Sequence, residues 1–282
     1  MIIQDINRVY EAYPRKLREW EAFKVLIRQE IREKNIGTHH EMQLLSGEKN
    51  PSLHPEILGS PNAAAWIYQF CHEKAPETDI YGRYYTCDWL ADFLAEISRV
   101  DRFSSTIRLF EPTCGCGNLI NAVLSRLNHS TATVYCDACD IDSKALNIAR
   151  TILPFKHKNQ SPRPILNIQK RNFIYLEATP IYDLTVLSPP FVDINRLKND
   201  EKKRIREYNA EINNTAEYFI MRSFDHTKDR IGTVSFVCPT NLLKKNSLLY
   251  SFLETRGSQH ALYRLPIPGG RDVIVGKVNK TK

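Results

Sequence analysis

From Tyr81 onward the hydrophobic positions of the chain fall into two alternating patterns. Short runs rich in Val, Ile, Thr, Tyr and Phe occupy 106–111, 133–140, 165–170, 182–187, 233–238, 261–265 and 272–278, the lengths and compositions of buried strands. Between them, apolar residues recur at steps of three and four over 118–127, 143–152, 215–224 and 241–254, the spacing of helices with one covered face. Strands that alternate with helices in this way predict an α/β domain. Its sheet should be parallel and doubly wound, with helices on both faces and ligands beyond the carboxyl ends of the strands.

Before Tyr81 the pattern is different. Leu17, Trp20, Phe23, Ile27 and Ile31 share one face of a helix otherwise rich in Arg, Lys and Glu, a face that packs on its own domain or on a partner. Residues 37–61 hold Gly, Ser, Asn, His and three prolines with little periodicity and read as a loop. The expected organisation is a helical N-terminal region over 1–78 and a sheet domain over 79–282, with no internal repeat.

Composition narrows the setting. A chain of 282 residues with 42% hydrophobic content can build one sizeable core. Met1-Ile2-Ile3-Gln4-Asp5 lacks the layout of a secretory signal, and no apolar run is long enough to span a bilayer, so a cytoplasmic protein without a membrane partner is expected. Seven irregularly spaced cysteines imply no disulfide framework. A formal charge of +7 suits a polyanionic partner, because lysine and arginine beside phosphates release condensed counterions.

The candidate chemistry lies at strand ends. After the strand at 106–111, Glu111-Pro112-Thr113-Cys114-Gly115-Cys116-Gly117-Asn118 leads into a helix. Its glycines let the backbone turn tightly and approach a ligand, and the helix offers free amides. The next strand ends in Cys139-Asp140-Ile141-Asp142, where a carboxylate can accept both hydroxyl hydrogens of a ribose. Together they suggest an adenosine-containing ligand, although the turn is not the three-glycine dinucleotide fingerprint and no GKS or GKT phosphate loop is present. The fourth strand of the domain runs into Ser188-Pro189-Pro190-Phe191. Adjacent prolines fix an extended backbone and remove two amide donors, leaving carbonyls to accept, and a phenylalanine can stack on a flat ring. Such a set suits an exocyclic amine held by acceptors while its nitrogen attacks a methyl group. Ser-Pro-Pro is also a common turn, and its position on the fourth strand, after the glycine loop and the acidic strand end, favours chemistry.

These segments resemble the S-adenosylmethionine-dependent DNA amino-methyltransferases. Residues 111–120 match the family loop Asp/Glu-Pro-x-Cys-Gly-x-Gly, and Ser188 to Phe191 fits Asp/Asn/Ser-Pro-Pro-Tyr/Phe/Trp in all four places. Gly82-Arg83-Tyr84-Tyr85-Thr86-Cys87 is similar to Gly-x-Tyr-Thr-Pro before a helix, with Cys87 in place of proline. The likeness covers roughly residues 79–278. It implies a Rossmann-like class I methyltransferase fold with a mostly parallel seven-stranded sheet, S-adenosylmethionine as cofactor, and methyl transfer to an exocyclic amino group of a DNA base, adenine N6 first.

By the same resemblance, Glu111 and the backbone from Gly115 to Gly117 face the methionine part, in a cofactor loop that includes Thr113 and Asn118. Thr86 helps hold the cofactor carboxylate, Asp140 holds the ribose and Ile141 lies against the adenine. Asn172-Phe173 stands where the family usually has Asp-Phe, the first bonding the adenine amine and the second packing on the ring; a neutral acceptor should hold that amine less strongly. Ser188 Oγ and the Pro189 carbonyl accept from the target amine, Pro190 sets the turn and Phe191 stacks on the extruded base.

Ser188 is the informative departure, because adenine enzymes of this motif order usually have Asn and Ser-Pro-Pro is frequent in cytosine-N4 enzymes. The loop at Glu111, the segment at Tyr84 and Asn214-Thr215-Ala216-Glu217-Tyr218-Phe219 resemble adenine-type relatives. The alternatives are a cytosine-N4 enzyme, an RNA or protein (glutamine) methyltransferase, and a noncatalytic methyltransferase-fold subunit of a modification complex. Such enzymes generally carry a target-recognition domain after the catalytic sheet, whereas Lys282 follows closely on the last predicted strand; sequence choice is expected from the N-terminal segment, from a separate specificity subunit, or not at all. The basic run from Arg196 to Arg206 is either a solvated helix face or a mobile flap that contacts phosphates. No metal is expected: Cys136 and Cys139 are three apart on a strand and point to opposite faces, and His39, His40, His54 and His72 lack ligand spacing.

Overall fold

In the computed structural model eight strands among the described residues form one sheet: β1 (Ile3–Asp5), β2 (Thr106–Glu111), β3 (Thr133–Asp140), β4 (Ile165–Lys170), β5 (Leu184–Leu187), β6 (Thr233–Pro239), β7 (Gly257–Leu265) and β8 (Val273–Lys280). The structure describes residues 86–281 apart from 103–104, 128–131 and 267–271, together with residues 1 and 3–5 and scattered positions between 15 and 69. Across the sheet the order is β1-β7-β8-β6-β5-β2-β3-β4, and β8 alone runs antiparallel to its neighbours. The mostly parallel α/β architecture expected from the alternating pattern is therefore present, with one strand more than the seven expected. The addition is β1, whose three residues are too few to show an alternation. It becomes a strand by pairing with the edge of β7, Ile3 beside Leu262 and Gln4 beside Tyr263.

Among the described residues from 86 onward, six α-helices accompany the sheet: α1 (Asp88–Ile97), α2 (Asn118–Arg126), α3 (Ser143–Lys156), α4 (Asn199–Tyr208), α5 (Thr215–His226) and α6 (Leu248–Arg256). Side chains alternate along each strand, so two cores form. Leu109, Val134, Leu184 and Val186 meet α1, α2 and α3 on one face. Phe110, Leu187, Val234 and Phe236 meet α4, α5 and α6 on the other. The central strands β5 and β6 are buried along their whole length, as expected for strands covered on both sides.

The helix expected over 241–254 is interrupted. A 3-10 turn at Thr240–Leu243 precedes α6, and between them Asn246 takes a φ of +67°. Ser247 Oγ donates to the Leu242 carbonyl at 2.7 Å and accepts the Tyr250 amide at 3.3 Å, so a serine that looked like helix interior starts a new helix as its N-cap. The apolar stripe from Leu17 to Ile31, the loop at 37–61, the boundary near Thr78 and the four histidines lie outside the described residues. Described positions near them are helical, and Ala65, Trp66 and Tyr68 are buried. Trp66 Nε1 donates to Asp88 at 3.4 Å and the Tyr68 hydroxyl to Asp142 at 2.6 Å, which seats this stretch on the starts of α1 and α3.

Strand order fixes where a ligand can enter. From β2 the chain steps outward through β3 and β4, then returns to β5 on the other side of β2 and continues to β6. The loops leaving β2 and β5 thus diverge, and a crevice opens between them at the carboxyl end of the sheet.

Packing against β8 offers a test of the second core. A Cβ on Gly276 would lie 2.7 Å from Phe236 Cζ and 2.8 Å from Leu262 Cδ2, inside a closed layer. Gly276→Ala is expected to lower stability by about 1–3 kcal/mol in urea unfolding. Adding Phe236→Leu should recover part of the loss; a double variant less stable than the sum of the singles would contradict this account.

Candidate active site

The crevice is a cleft whose open space, counted out into solvent, is about 1090 Å³, walled by the loops that leave β2, β3, β4 and β5 and by the starts of α4 and α5. Thr86, Glu111, Thr113, Gly115, Asn118, Asp140, Ile141, Asn172, Phe173, Ser188 and Pro190 all reach its wall. Residues from five separate places in the sequence are thereby brought together. Gly117, Pro189 and Phe191, also expected in the site, are not part of the wall. Pro189 is buried, and Phe191 packs half-buried against the second core.

The glycine loop owes its shape to three constraints. The Cys114 amide donates to the Cys139 carbonyl at 3.0 Å, which carries the sheet pairing one step past β2. Gly115 and Gly117 take φ values of +49° and +86°, a region costly for residues with a Cβ. The Asp140 carboxylate then fixes the turn, accepting the Gly115 amide at 2.8 Å through one oxygen and the Asp142 amide at 2.9 Å through the other. Gly117 serves packing: a Cβ there would lie 2.9 Å from Leu153 Cδ1 on α3. Its smallness lets α2 approach α3, which a reading of the loop as ligand backbone missed.

Four buried polar atoms of the wall lack a hydrogen-bond partner: Thr86 Oγ1, Glu111 Oε2, Asn118 Oδ1 and Ser188 Oγ. Each such group costs about 1–3 kcal/mol unless something fills the cleft. Asn118 Nδ2 donates to the Thr86 carbonyl at 3.1 Å, so these two are fixed relative to each other while the Thr86 hydroxyl and Asn118 Oδ1 stay buried and unpartnered. Burial pushes the Glu111 carboxyl well above the usual carboxylate range; the Ile120 amide opposes this and Asp140 adds to it. Among the described wall residues Glu111, Asp140, Asp142 and Glu201 are acidic and Arg171 is basic, so the cleft favours a ligand with net positive charge.

On the opposite side, the loop leaving β5 is tied down at two carbonyls. Thr113 Oγ1 donates to the Ser188 carbonyl at 3.3 Å, joining the two loops directly. Thr215 Oγ1, in the first turn of α5, donates to the Pro190 carbonyl at 2.6 Å and accepts the Val192 amide at 3.0 Å. Thr215 was visible in the sequence only as part of a helix start. Its work on the proline loop depends on a contact across 25 residues. The Ser188 hydroxyl is left pointing at no protein partner.

Beyond β3 and β4 the wall changes character. Ile141 is 40% exposed, an uncovered apolar side chain inside a cleft. Phe173 is 1% exposed, its ring packed near Phe110, Phe219 and His226, so most of it belongs to the core. The basic run forms a 3-10 turn at Ile194–Arg196 and helix α4, in which Ile205 is buried while Lys203 and Arg204 are exposed. Leu197 and Glu201 from this segment join the cleft wall, a role that its charge pattern hid. Cys136 and Cys139 lie in opposite cores, and burial raises both thiols, Cys139 to about 12.

The raised Glu111 carboxyl has a measurable consequence. Unfolded, this group ionises near 4.5, whereas folded it holds its proton to a higher pH, so the native chain binds more protons between the two values. Stability from this source is full below about 4.5 and falls as pH rises through the native value, by about 1.4 kcal/mol per unit of displacement. Without added ligand, Glu111→Gln should therefore be more stable than the parent at pH 8, with the difference closing at pH 4. Urea midpoints at the two pH values measure this, and a parent more stable at pH 8 would count against the burial of an unpaired carboxylate.

No protein-family model and no curated protein matches the chain. Similar solved structures exist. A protein from Listeria monocytogenes described as a class I S-adenosylmethionine-dependent methyltransferase aligns with a TM-score of 0.58 at 14% identity, over 86% of this chain and 79% of that one. The methyltransferase subunit of a type I restriction-modification system from Streptococcus thermophilus aligns with a TM-score of 0.54 at 16% identity, over 80% of this chain and 51% of that one. A protein from Vibrio vulnificus described as a modification subunit of a type I restriction enzyme gives 0.52 at 13% identity, over 78% and 50%. The chain thus spans about half the length of the two restriction-modification subunits. At these identities the shared property is the fold: this chain has the α/β fold of the class I methyltransferases.

Proposed function

We propose that this chain transfers a methyl group from S-adenosylmethionine to an exocyclic amino group of a nucleic-acid base, with adenine N6 of DNA as the target. The observation that carries the proposal is the convergence of four unpartnered polar atoms in one acid-lined cleft, three by the β2 loop and one on the Pro-Pro loop. S-adenosylmethionine has an ammonium and a sulfonium beside a single carboxylate, and its net positive charge matches such a wall. A pyrophosphate would meet carboxylates instead.

The residues fit that molecule group by group. Glu111 and Asn118 Oδ1 are acceptors for its ammonium, and the Thr86 hydroxyl is a donor for its carboxylate. Asp140, whose oxygens accept the Gly115 and Asp142 amides, is a carboxylate of the kind that accepts ribose hydroxyls. Ile141 offers the apolar surface that a purine ring would cover. When bound, the cofactor supplies an electrophilic methyl group. Ser188 Oγ then accepts an N–H of the target amine and orients its nitrogen for attack, with no strong base required.

Two further features support a nucleic-acid substrate. Arg171, at the cleft, and Arg196, Lys198, Lys203 and Arg204, on the segment that walls it, are exposed and cationic. Two of the similar structures are described as subunits of restriction-modification enzymes, which supports DNA as substrate and a separate specificity subunit as partner. Ser188 favours a second reading, cytosine N4, because serine at this place is frequent in those enzymes.

Calorimetry should detect S-adenosylmethionine binding to the purified chain, and labelled methyl groups should pass to DNA rather than to RNA or protein. Ser188→Ala is expected to keep cofactor affinity while losing about 10²-fold in transfer rate. Digestion of labelled DNA to nucleosides distinguishes 6-methyladenine from 4-methylcytosine. Undiminished transfer by Ser188→Ala would remove the serine from the reaction, and absence of cofactor binding would end the enzymatic reading.

A further inference from the structure

Asn172 stands where the resembling family has aspartate, and the structure shows what its amide does. Its Oδ1 accepts the Ile174 amide at 3.0 Å and caps the turn at Phe173–Tyr175. Its Nδ2 donates to Glu201 Oε1 at 2.7 Å. Glu201, in the first turn of α4, is 8% exposed and lies in the cleft wall with Asn172, Ile174 and Leu197. Its other oxygen takes the Lys198 amide at a long 3.3 Å, so the carboxylate keeps accepting capacity toward the cleft. The sheet order β2-β3-β4 puts the exits of these strands side by side, the Arg171 amide donating to the Asp140 carbonyl at 3.1 Å. Asn172 and Glu201 therefore sit beyond Asp140 and Ile141, at the end of the cleft away from the β2 loop.

Resting on the cofactor reading above, we infer that Glu201, held by Asn172, is the residue that recognises the exocyclic amine of the cofactor's adenine. The carboxylate missing at 172 is supplied from α4. The two substitutions are complementary: an amide at 172 can donate to Glu201, whereas an aspartate there would set two carboxylates about 3 Å apart and force one to take up a proton. A carboxylate accepts N–H and repels a carbonyl oxygen, so the site should select an amino group over an oxo group at position 6 of the purine. The same contact ties the basic segment carrying Arg196, Lys198, Lys203 and Arg204 to the cofactor end of the cleft.

The test is calorimetric titration of the full chain with S-adenosyl-L-homocysteine and with S-inosyl-L-homocysteine, which carries oxygen in place of the amine. The parent should prefer the adenosyl compound by about 100-fold or more. Glu201→Gln should reduce that ratio to under about 10-fold, and Ser188→Ala should leave it unchanged. Asn172→Asp gives an opposed prediction: here it lowers adenosyl affinity about 10-fold, whereas it would raise affinity if Asn172 were a weakened form of the family aspartate. A preserved ratio in Glu201→Gln, or a gain in Asn172→Asp, overturns the inference and leaves the cofactor reading intact. Failure of the parent to bind either compound is the separate result that removes both. Thermal melting without ligand identifies a misfolded variant, and the Asn172→Asp titration then decides alone.

Discussion

The Asp140 carboxylate holds the Gly115 amide with one oxygen and the Asp142 amide with the other, and so ties the loop leaving β2 to the end of β3. The other geometry of the cleft follows from that tie. With Gly115 fixed, Glu111 and Thr113 leave the sheet in a set direction, and Thr113 can reach across to the Ser188 carbonyl. With Asp142 fixed, its own carboxylate caps α3 and receives the Tyr68 hydroxyl, which brings a segment from the N-terminal region against the same loop. An acidic strand end expected to serve a ribose is also the fastener of the site. The two roles are compatible because a carboxylate has more lone pairs than the two amides use.

Around this fastener the protein divides its polar groups into two classes. Those that shape the loops are bonded: Thr215 to Pro190 and Val192, Asn172 to Ile174 and Glu201. Four atoms of the wall are not, and Glu111 is the costliest of them to ionise because it is buried without a cation. A fold that leaves such atoms uncompensated sacrifices stability for preorganisation: acceptors already in place need no rearrangement when a ligand arrives. The same division separates Gly115, whose amide meets Asp140, from Gly117, whose missing Cβ admits Leu153.

Much of the fold could be read along the chain. Seven strands appeared within a few residues of their predicted ends, because central strands of a doubly wound sheet carry apolar runs that nothing else in the sequence imitates. β1 and the break before α6 could not be found that way. Each depends on a partner: a free strand edge for Ile3 to Asp5, and the Leu242 carbonyl for Ser247.

The sequence by itself determined the order of strands and helices, the placing of two glycines at a strand exit, and the chemical types available at each strand end. Those are local properties, set by side-chain period, by φ preference and by the donors and acceptors each residue owns. Tertiary structure alone decided which of them share one cavity. It turned Phe173 and Phe191 toward the core, left Ile141 uncovered, set Thr215 against the proline loop, and brought Glu201, 29 residues away, onto Asn172. No periodicity reports such pairings. They arise where the chain reverses direction at β2 and β5, and loops distant in sequence must meet at one end of the sheet.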